Sequence, residues 1–137
     1  MAYVLDSSFV AALIIPDEKN SHAEKIYRQI KNDDDKFVPN LFSYETANIF
    51  MNLIRRKRCT YNEVLQLLPI FSAIQLTVDS ETGAGYTEKL LHLCNDYNIS
   101  SYDAAYLELA ERKKAILCTM DEGLRAAAKK HGVKTLK

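Results

Sequence analysis

The chain of 137 residues is long enough for one domain with its own core and leaves little room for a second. Hydrophobic residues make up 47% and charged residues 26% of it, which is typical of a folded globular protein and excludes a collagen-like or disordered chain. The 18 basic residues balance the 18 acidic ones, so any contact with nucleic acid has to be local rather than driven by net charge.

The sequence predicts neither a membrane segment nor a secretion signal. No apolar stretch approaches the roughly 18 to 20 residues that span a bilayer, and the apolar N-terminus has no basic flank and reaches an acid at Asp6. The cysteines Cys59, Cys94 and Cys118 lack the spacing of a zinc site or a disulfide framework. We therefore expect a cytoplasmic protein in which residues 1–137 form a single domain.

Taken in chain order, short apolar stretches alternate with longer segments whose apolar residues recur with helical spacing. Strands are predicted at residues 2–5, 36–38, 74–78 and 115–119, with an edge strand at 133–136. Helices are predicted at residues 7–15, 60–71, 80–96 and 122–130. Further helices are predicted from residue 21 to the turn at 32–35, from a cap at Asn40 through Leu53, and from residue 100. This alternation predicts an α/β fold, a three-layer α/β/α sandwich with a central, mainly parallel, Rossmann-like sheet. The glycine-rich loops that cradle nucleotide phosphates are absent from the sequence.

Four acids lie where predicted strands end or the following helices begin. Asp6 and Asp121 follow strands directly, Glu45 lies in the first turns of a helix, and Asp103 opens another. Because the carboxyl ends of parallel strands line one crevice, these acids are expected to converge there. Close carboxylates repel one another unless a cation neutralises them, and an oxygen-only cluster suits Mg²⁺ or Mn²⁺ rather than zinc.

Each acid taken alone also has a purely structural interpretation. Asp6 can cap the helix that follows it, and Ser100 with Asp103 has the spacing of a capping box. Asp121 lies inside a second such box, and Glu45 can belong to a solvated helix face. Capping therefore explains the acids individually, whereas a shared site explains all four together.

Three stretches of the sequence together resemble a known family. They are YVLDSSFVAALI at residues 3–14, YETANIF at 44–50, and SYDAAYLELAERKKAILCTMDEGLRAAAKKHGV at 101–133. Their order, spacing and strand-helix context resemble the PIN domain, specifically the VapC-like toxin ribonucleases of type II toxin-antitoxin systems. The resemblance implies a PIN-like fold in which the catalytic, metal-binding acids are Asp6, Glu45, Asp103 and Asp121. It also implies supporting roles for the small polar side chains Ser7, Asn48 and Thr119.

The activity implied by this resemblance is endonucleolytic cleavage of single-stranded or looped RNA, dependent on Mg²⁺ or Mn²⁺. A bound cation polarises the scissile phosphate and activates water, so that no covalent intermediate is needed. The histidines His22, His92 and His131 have no evident partners in the sequence, so a metal-free mechanism has little support. The resemblance further implies a homodimer and a cognate antitoxin that blocks the carboxylates.

An acidic pocket repels phosphate, so basic residues around it are expected to hold the RNA. The candidates are Arg55, Arg56, Lys57, Arg58, Arg112, Lys113, Lys114 and Lys134. Tyr44, Tyr102 and Tyr106 can either stack on unpaired bases or belong to the core.

Two other functions compete with the nuclease. A phosphoryl-transfer receiver domain shares the α/β pattern, but it needs adjacent acids after the first strand and a lysine after a late strand, where this chain has Leu5 before Asp6 and residues 119–121. A PIN-like module that binds RNA or a partner without cutting is the second alternative. Retention of all four acids argues against it, since binding alone gains nothing from clustered negative charge.

Overall fold

The computed structural model describes residues 1–16 and 20–136. In chain order its elements are β1 (Ala2–Leu5), α1 (Ser7–Ile14), α2 (Ser21–Tyr27), β2 (Asp35–Pro39), α3 (Phe42–Arg55), α4 (Tyr61–Ile74), β3 (Thr77–Asp79), α5 (Ala84–Tyr97), α6 (Ser101–Arg112), β4 (Ile116–Cys118) and α7 (Glu122–His131). None of these helices is both long enough and apolar enough to cross a membrane.

The strands form one parallel sheet in the order β3-β2-β1-β4. The chain adds β2 and β3 on one side of β1 and then returns to place β4 on the other side, with Leu5 in register with Cys118. The predicted α/β fold with a parallel central sheet is thereby confirmed. A reversal of strand order opens a crevice at the carboxyl ends of the two strands that flank it, here β1 and β4.

Helices cover the sheet in two groups. Helix α1 packs against α2, α3 and α4, whereas α6 packs against β1, β2 and β4 and also contacts α5 and α7. The residues 104–110 of α6 are all buried, and Val4, Leu5 and Leu117 of the central strands have no exposed surface. Strands buried on both faces explain why their sequences are continuously apolar rather than alternating.

Several predicted boundaries differ from the structure. Asn40 does not cap α3, since Leu41 occupies the N-cap position and makes no side-chain capping bond. The stretch predicted as a strand at 74–78 begins inside α4, which continues to Ile74 and leaves only Thr77–Asp79 extended. Residues 133–136 contribute one isolated parallel bridge, between Leu117 and Thr135, rather than a strand. Local periodicity does not determine where a helix ends when tertiary packing stabilises a further turn.

Candidate active site

Asp6 lies at the centre of the crevice between β1 and β4. Its backbone N–H donates to the carbonyl of Cys118 at 3.1 Å, which continues the ladder between the two strands. Its Oδ1 accepts hydrogen bonds from Ser8 Oγ at 2.7 Å and from the backbone N–H of Phe9 at 2.8 Å, and its Oδ2 accepts one from Thr119 Oγ1. Asp6 therefore caps α1 and is also held by residues at the end of β4.

Burial dominates the protonation equilibrium of this carboxylate. Asp6 is only 4% exposed, and removal from water raises its pKa to about 6 even though the hydrogen bonds from Thr119, Ser8 and Phe9 lower it. The charge of Asp103 raises the pKa further. Among the described residues no cation lowers the pKa of Asp6, so its burial costs electrostatic free energy at the point where the strand order reverses.

Glu45 is held in the crevice by one of its two carboxylate oxygens. Its Oε1 accepts hydrogen bonds from Tyr106 Oη at 2.6 Å and from Ser7 Oγ at 3.3 Å. Tyr106 is 1% exposed, and burial and the adjacent Glu45 carboxylate raise the pKa of its hydroxyl, which therefore acts as a donor. This role of Tyr106 was not predicted, although its position three residues after Asp103 places both on one face of α6.

Asp103 and Asp121 complete the acidic group. The Asp103 carboxylate makes no hydrogen bond to another described residue, and its pKa is raised first by burial and then by the charges of Asp121 and Glu45. Asp121 caps α7 through its Oδ1, which accepts from the N–H of Leu124 at 2.8 Å. The charge of Asp103 thus acts on Asp6, and the charges of Asp121 and Glu45 act on Asp103, so Asp103 lies within electrostatic range of the other three predicted acids. Among residues 1–16 and 20–136, however, no three histidine, cysteine or acidic side chains stand as a ready-made metal site.

The supporting residues occupy different positions around the acids. Thr119 donates to Asp6 and accepts from the backbone N–H of Asp121 at 3.0 Å, so one hydroxyl joins two of the acids. Ser7 contacts Glu45. Asn48 is exposed and lines the same hollow as Glu45 without contacting an acid by hydrogen bond.

Four helix N-termini meet at this edge of the sheet. Asp6 and Asp121 are the N-caps of α1 and α7, while Glu45 and Asp103 lie in the first turns of α3 and α6. The positive end of each helix dipole stabilises a nearby carboxylate by about 0.3–1 kcal/mol. Asp6 and Asp121 each cap a helix through one carboxylate oxygen, whereas in the described chain the carboxylates of Glu45 and Asp103 make no capping bond. Capping is therefore confirmed for two of the acids, and the shared site stays a prediction.

Most of the predicted RNA-binding cations lie elsewhere. Arg55 ends α3, about 15 Å along the helix from Glu45, and Arg56–Arg58 follow it. Lys114 and Lys134 line a hollow with Met1, at the start of β1 and hence at the opposite edge of the sheet.

Arg112 and Lys113 have structural partners. The Arg112 guanidinium donates two hydrogen bonds to Asp79, at 3.0 and 2.7 Å, and also binds the buried Glu108. The Lys113 Nζ lies 4.9 Å from the ring centre of Phe37. These contacts join the C-terminal end of α6 to β2 and β3, and a role of the two cations in holding RNA stays a prediction.

Arg125 is a cation beside the acids that the sequence pattern did not indicate. One of its terminal nitrogens donates to the carbonyl oxygen of Thr119 at 2.6 Å, and the other binds Glu122. Its position one helical turn after Asp121 was the available signal, because residues four apart share a helix face.

Comparison with known proteins agrees with this geometry. The sequence model of the PIN domain matches residues 3–130. The chain is 28% identical over 124 residues to Ribonuclease VapC3 of Pyrobaculum aerophilum, which covers 90% of this chain and 92% of that protein.

Two solved structures show the same fold at low identity. One is VapC20 of Mycobacterium tuberculosis, described as a Sarcin-Ricin loop cleaving toxin, with a TM-score of 0.67, 21% identity and coverage of 91% of this chain and 94% of that one. The other is VapBC2 of Rickettsia felis bound to a DNA fragment from their promoter, with a TM-score of 0.66, 13% identity and coverage of 99% and 98%.

Proposed function

The chain belongs to the PIN domain family, and from this membership and the site geometry we propose that it is a VapC-type endoribonuclease that hydrolyses single-stranded or looped RNA with Mg²⁺ or Mn²⁺. One observation carries the proposal: four acids from distant parts of the chain converge on the crevice between β1 and β4, with Asp6 buried and Asp103 destabilised by Asp121 and Glu45. A structural role in capping explains none of this mutual repulsion.

The donor set fits a hard divalent cation. All four side chains offer oxygen, and the Oε2 of Glu45, the Oδ2 of Asp121 and both oxygens of Asp103 have no hydrogen-bond partner among the described residues. Asp6, Glu45, Asp103 and Asp121 would hold the ion. When bound, it supplies charge neutralisation for the phosphate and a lowered pKa for a coordinated water.

The remaining residues position these acids. Ser8 and Thr119 fix Asp6 from opposite sides, and Tyr106 with Ser7 fixes Glu45 through a single oxygen. Such outer contacts orient carboxylates and keep a site open to substrate.

A mechanism based on histidine acid-base catalysis has no support in the described part of the chain. His131 binds Tyr97 and Glu111, and His92 pairs with Glu88 on α5, so both are committed away from the acids. His22 lies exposed on α2.

We further propose that this protein acts in the cytoplasm on RNA and is restrained there by a cognate antitoxin. The support is the likeness of its fold to VapBC structures and the acidic crevice, which suits an arginine from a partner. A homodimer is proposed from the same family likeness.

The decisive experiment is incubation of the purified protein with total RNA and Mn²⁺, followed by mapping of the cut ends. Cleavage that leaves a 5′-phosphate, stops with EDTA and is lost in Asp103→Asn is the expected result. Asp33→Asn is the matched control, because Asp33 is an exposed acid in the turn before β2. RNA binding without cleavage by the wild-type protein would instead favour the non-cutting PIN-like module.

A further inference from the structure

A hollow of about 530 Å³ adjoins the carboxylates and is only partly used by the proposed chemistry. We call it the Glu45 hollow, because Glu45 and Ser7 form its border with the acidic site. Leu41 and Ile49 supply apolar surface to its lining, and Asn48 adds an amide that can both donate and accept. The volume lies in the range of small-ligand sites, which are mostly apolar with a few polar groups.

Two exposed tyrosines complete the lining of the Glu45 hollow. Tyr44 is 76% exposed and Tyr102 is 60% exposed, and each directly precedes a site acid in the first turn of its helix. Neither hydroxyl makes a hydrogen bond, and neither ring packs against another aromatic ring of the described residues. Tyr106, by contrast, is a core residue. The structure therefore separates three tyrosines that the sequence leaves equivalent.

We propose that Tyr44 and Tyr102 form a stacking site for an unpaired base of the RNA, next to the phosphate that lies at the carboxylates. The proposal rests on the proposed ribonuclease function and adds the feature of the substrate that the site recognises. Every base has an aromatic face, so stacking on tyrosine holds single strands without demanding one sequence. In a duplex the same faces are covered by neighbouring base pairs, so unpaired RNA is favoured.

The charge of the lining supports a base rather than a phosphate as the occupant. The described residues that line the Glu45 hollow include Glu45 and no lysine or arginine, so a phosphate placed inside it would be repelled. An uncharged base can contact Leu41, Ile49 and the two tyrosine rings without this repulsion. The Asn48 amide can form hydrogen bonds with the edge of the base.

The test measures binding separately from cleavage. The Asp103→Asn variant, in Mg²⁺ and at fixed salt, is titrated against two fluorescently labelled oligomers of equal length: a single-stranded RNA with all four bases and an abasic sugar-phosphate chain. The RNA is expected to bind about 5- to 100-fold more tightly, as stacking on one or two bases allows. Adding Tyr44→Ala and Tyr102→Ala should remove the difference, whereas the Phe variants should keep it because stacking does not need the hydroxyl.

Tyr61→Ala is the matched control, since Tyr61 is 62% exposed on α4 and lines a different hollow. Equal affinity for the two oligomers, or a preference for RNA that survives both alanine substitutions, would overturn the stacking site. Phe variants that lose the preference for RNA, as the alanine variants do, would also overturn the stacking site. The same holds if the alanine substitutions weaken binding of a protein partner but leave RNA binding unchanged. A wild-type protein that stacks RNA but never cuts it would refute the ribonuclease function and leave the stacking site in place. Cleavage that is unaffected by the alanine substitutions would refute the stacking site and leave the ribonuclease function in place.

Discussion

The hydroxyl of Thr119 donates a hydrogen bond to the Oδ2 of Asp6, across 113 positions of the sequence. The Thr119 hydroxyl oxygen also accepts a hydrogen bond from the backbone N–H of Asp121. Thr119 therefore joins the end of β1 to the start of α7 at the point where the strand order reverses. Loss of this hydroxyl should therefore disturb two acids at once.

Thr119→Val, which keeps the shape of the side chain, is expected to reduce RNA cleavage by roughly 10- to 100-fold, as loss of an outer contact to a metal ligand commonly does. It should also raise the pKa of Asp6 further, because the Thr119 bond favours the ionised carboxylate. The pH profile of cleavage checks this. Thr87→Val is the control, because in the described chain the Thr87 hydroxyl bonds only to the carbonyl of Gly83, the N-cap of α5. Equal profiles for the two variants would refute the coupling.

The metal-free protein should lose stability as the pH rises from about 4 to about 6. Asp6 has a pKa of about 6 in the fold against an ordinary value of 3.8, so between these values the folded state binds more protons than the unfolded state. The stabilisation is complete below the unfolded pKa and is lost as the pH passes the folded one. This difference between the folded and unfolded pKa of Asp6 corresponds to roughly 3 kcal/mol in the free energy of unfolding.

Denaturant unfolding in EDTA at several pH values measures this slope. Asp6→Asn should show a smaller decrease than the wild type over the same range, whereas Asp33→Asn should follow the wild type. Parallel curves for the wild type and Asp6→Asn would show that Asp6 does not titrate in this window.

Mn²⁺ or Mg²⁺ should raise the melting temperature by several degrees. An ion that binds only the folded state adds about 2.7 kcal/mol of stability at 100 times its dissociation constant. The increase should disappear in Asp103→Asn, which removes a carboxylate with no other partner in the described chain. Sodium chloride at matched ionic strength controls for screening, and an equal increase with sodium would remove the argument for a specific ion.

Tyr106→Phe should leave the fold intact and weaken metal-dependent cleavage. Phenylalanine fills the same buried space, but Glu45 then retains only the longer bond from Ser7. We expect roughly 10-fold or greater loss of activity, with a higher Mn²⁺ concentration needed for half-maximal rate. Tyr86→Phe on α5 is the control, and a Tyr106→Phe protein with wild-type Mn²⁺ dependence would show that Glu45 needs no such donor.

Arg112 should contribute to stability rather than to RNA affinity. Arg112→Met leaves Glu108, whose side chain is 5% exposed, without its cation and is expected to cost about 3–5 kcal/mol. Adding Glu108→Leu should recover much of that loss. Urea unfolding checks the stability and salt-dependent RNA binding checks the affinity. A variant that folds as well as the wild type but binds RNA weakly would show that Arg112 contacts RNA rather than stabilising the fold.

The sequence by itself determined the α/β architecture and the positions of the acids along the chain. Continuous apolar stretches identified buried parallel strands, and the capping positions of Asp6 and Ser100 identified where two helices begin. Asp121 was expected inside the first turn of α7 and is instead its N-cap. These signals are local, because a strand buried on both faces and a helix N-terminus each impose their chemistry on the residues next to them.

Only the tertiary structure decided which side chains meet. It paired Tyr106 with Glu45 across 61 positions, placed Arg125 beside Thr119, and moved Lys114 and Lys134 to the opposite edge of the sheet. It also left Tyr44 and Tyr102 exposed while burying Tyr106. Contacts of this kind depend on how each helix is rotated and packed against its neighbours, and the spacing of residues along one segment carries no information about the segment that it will face.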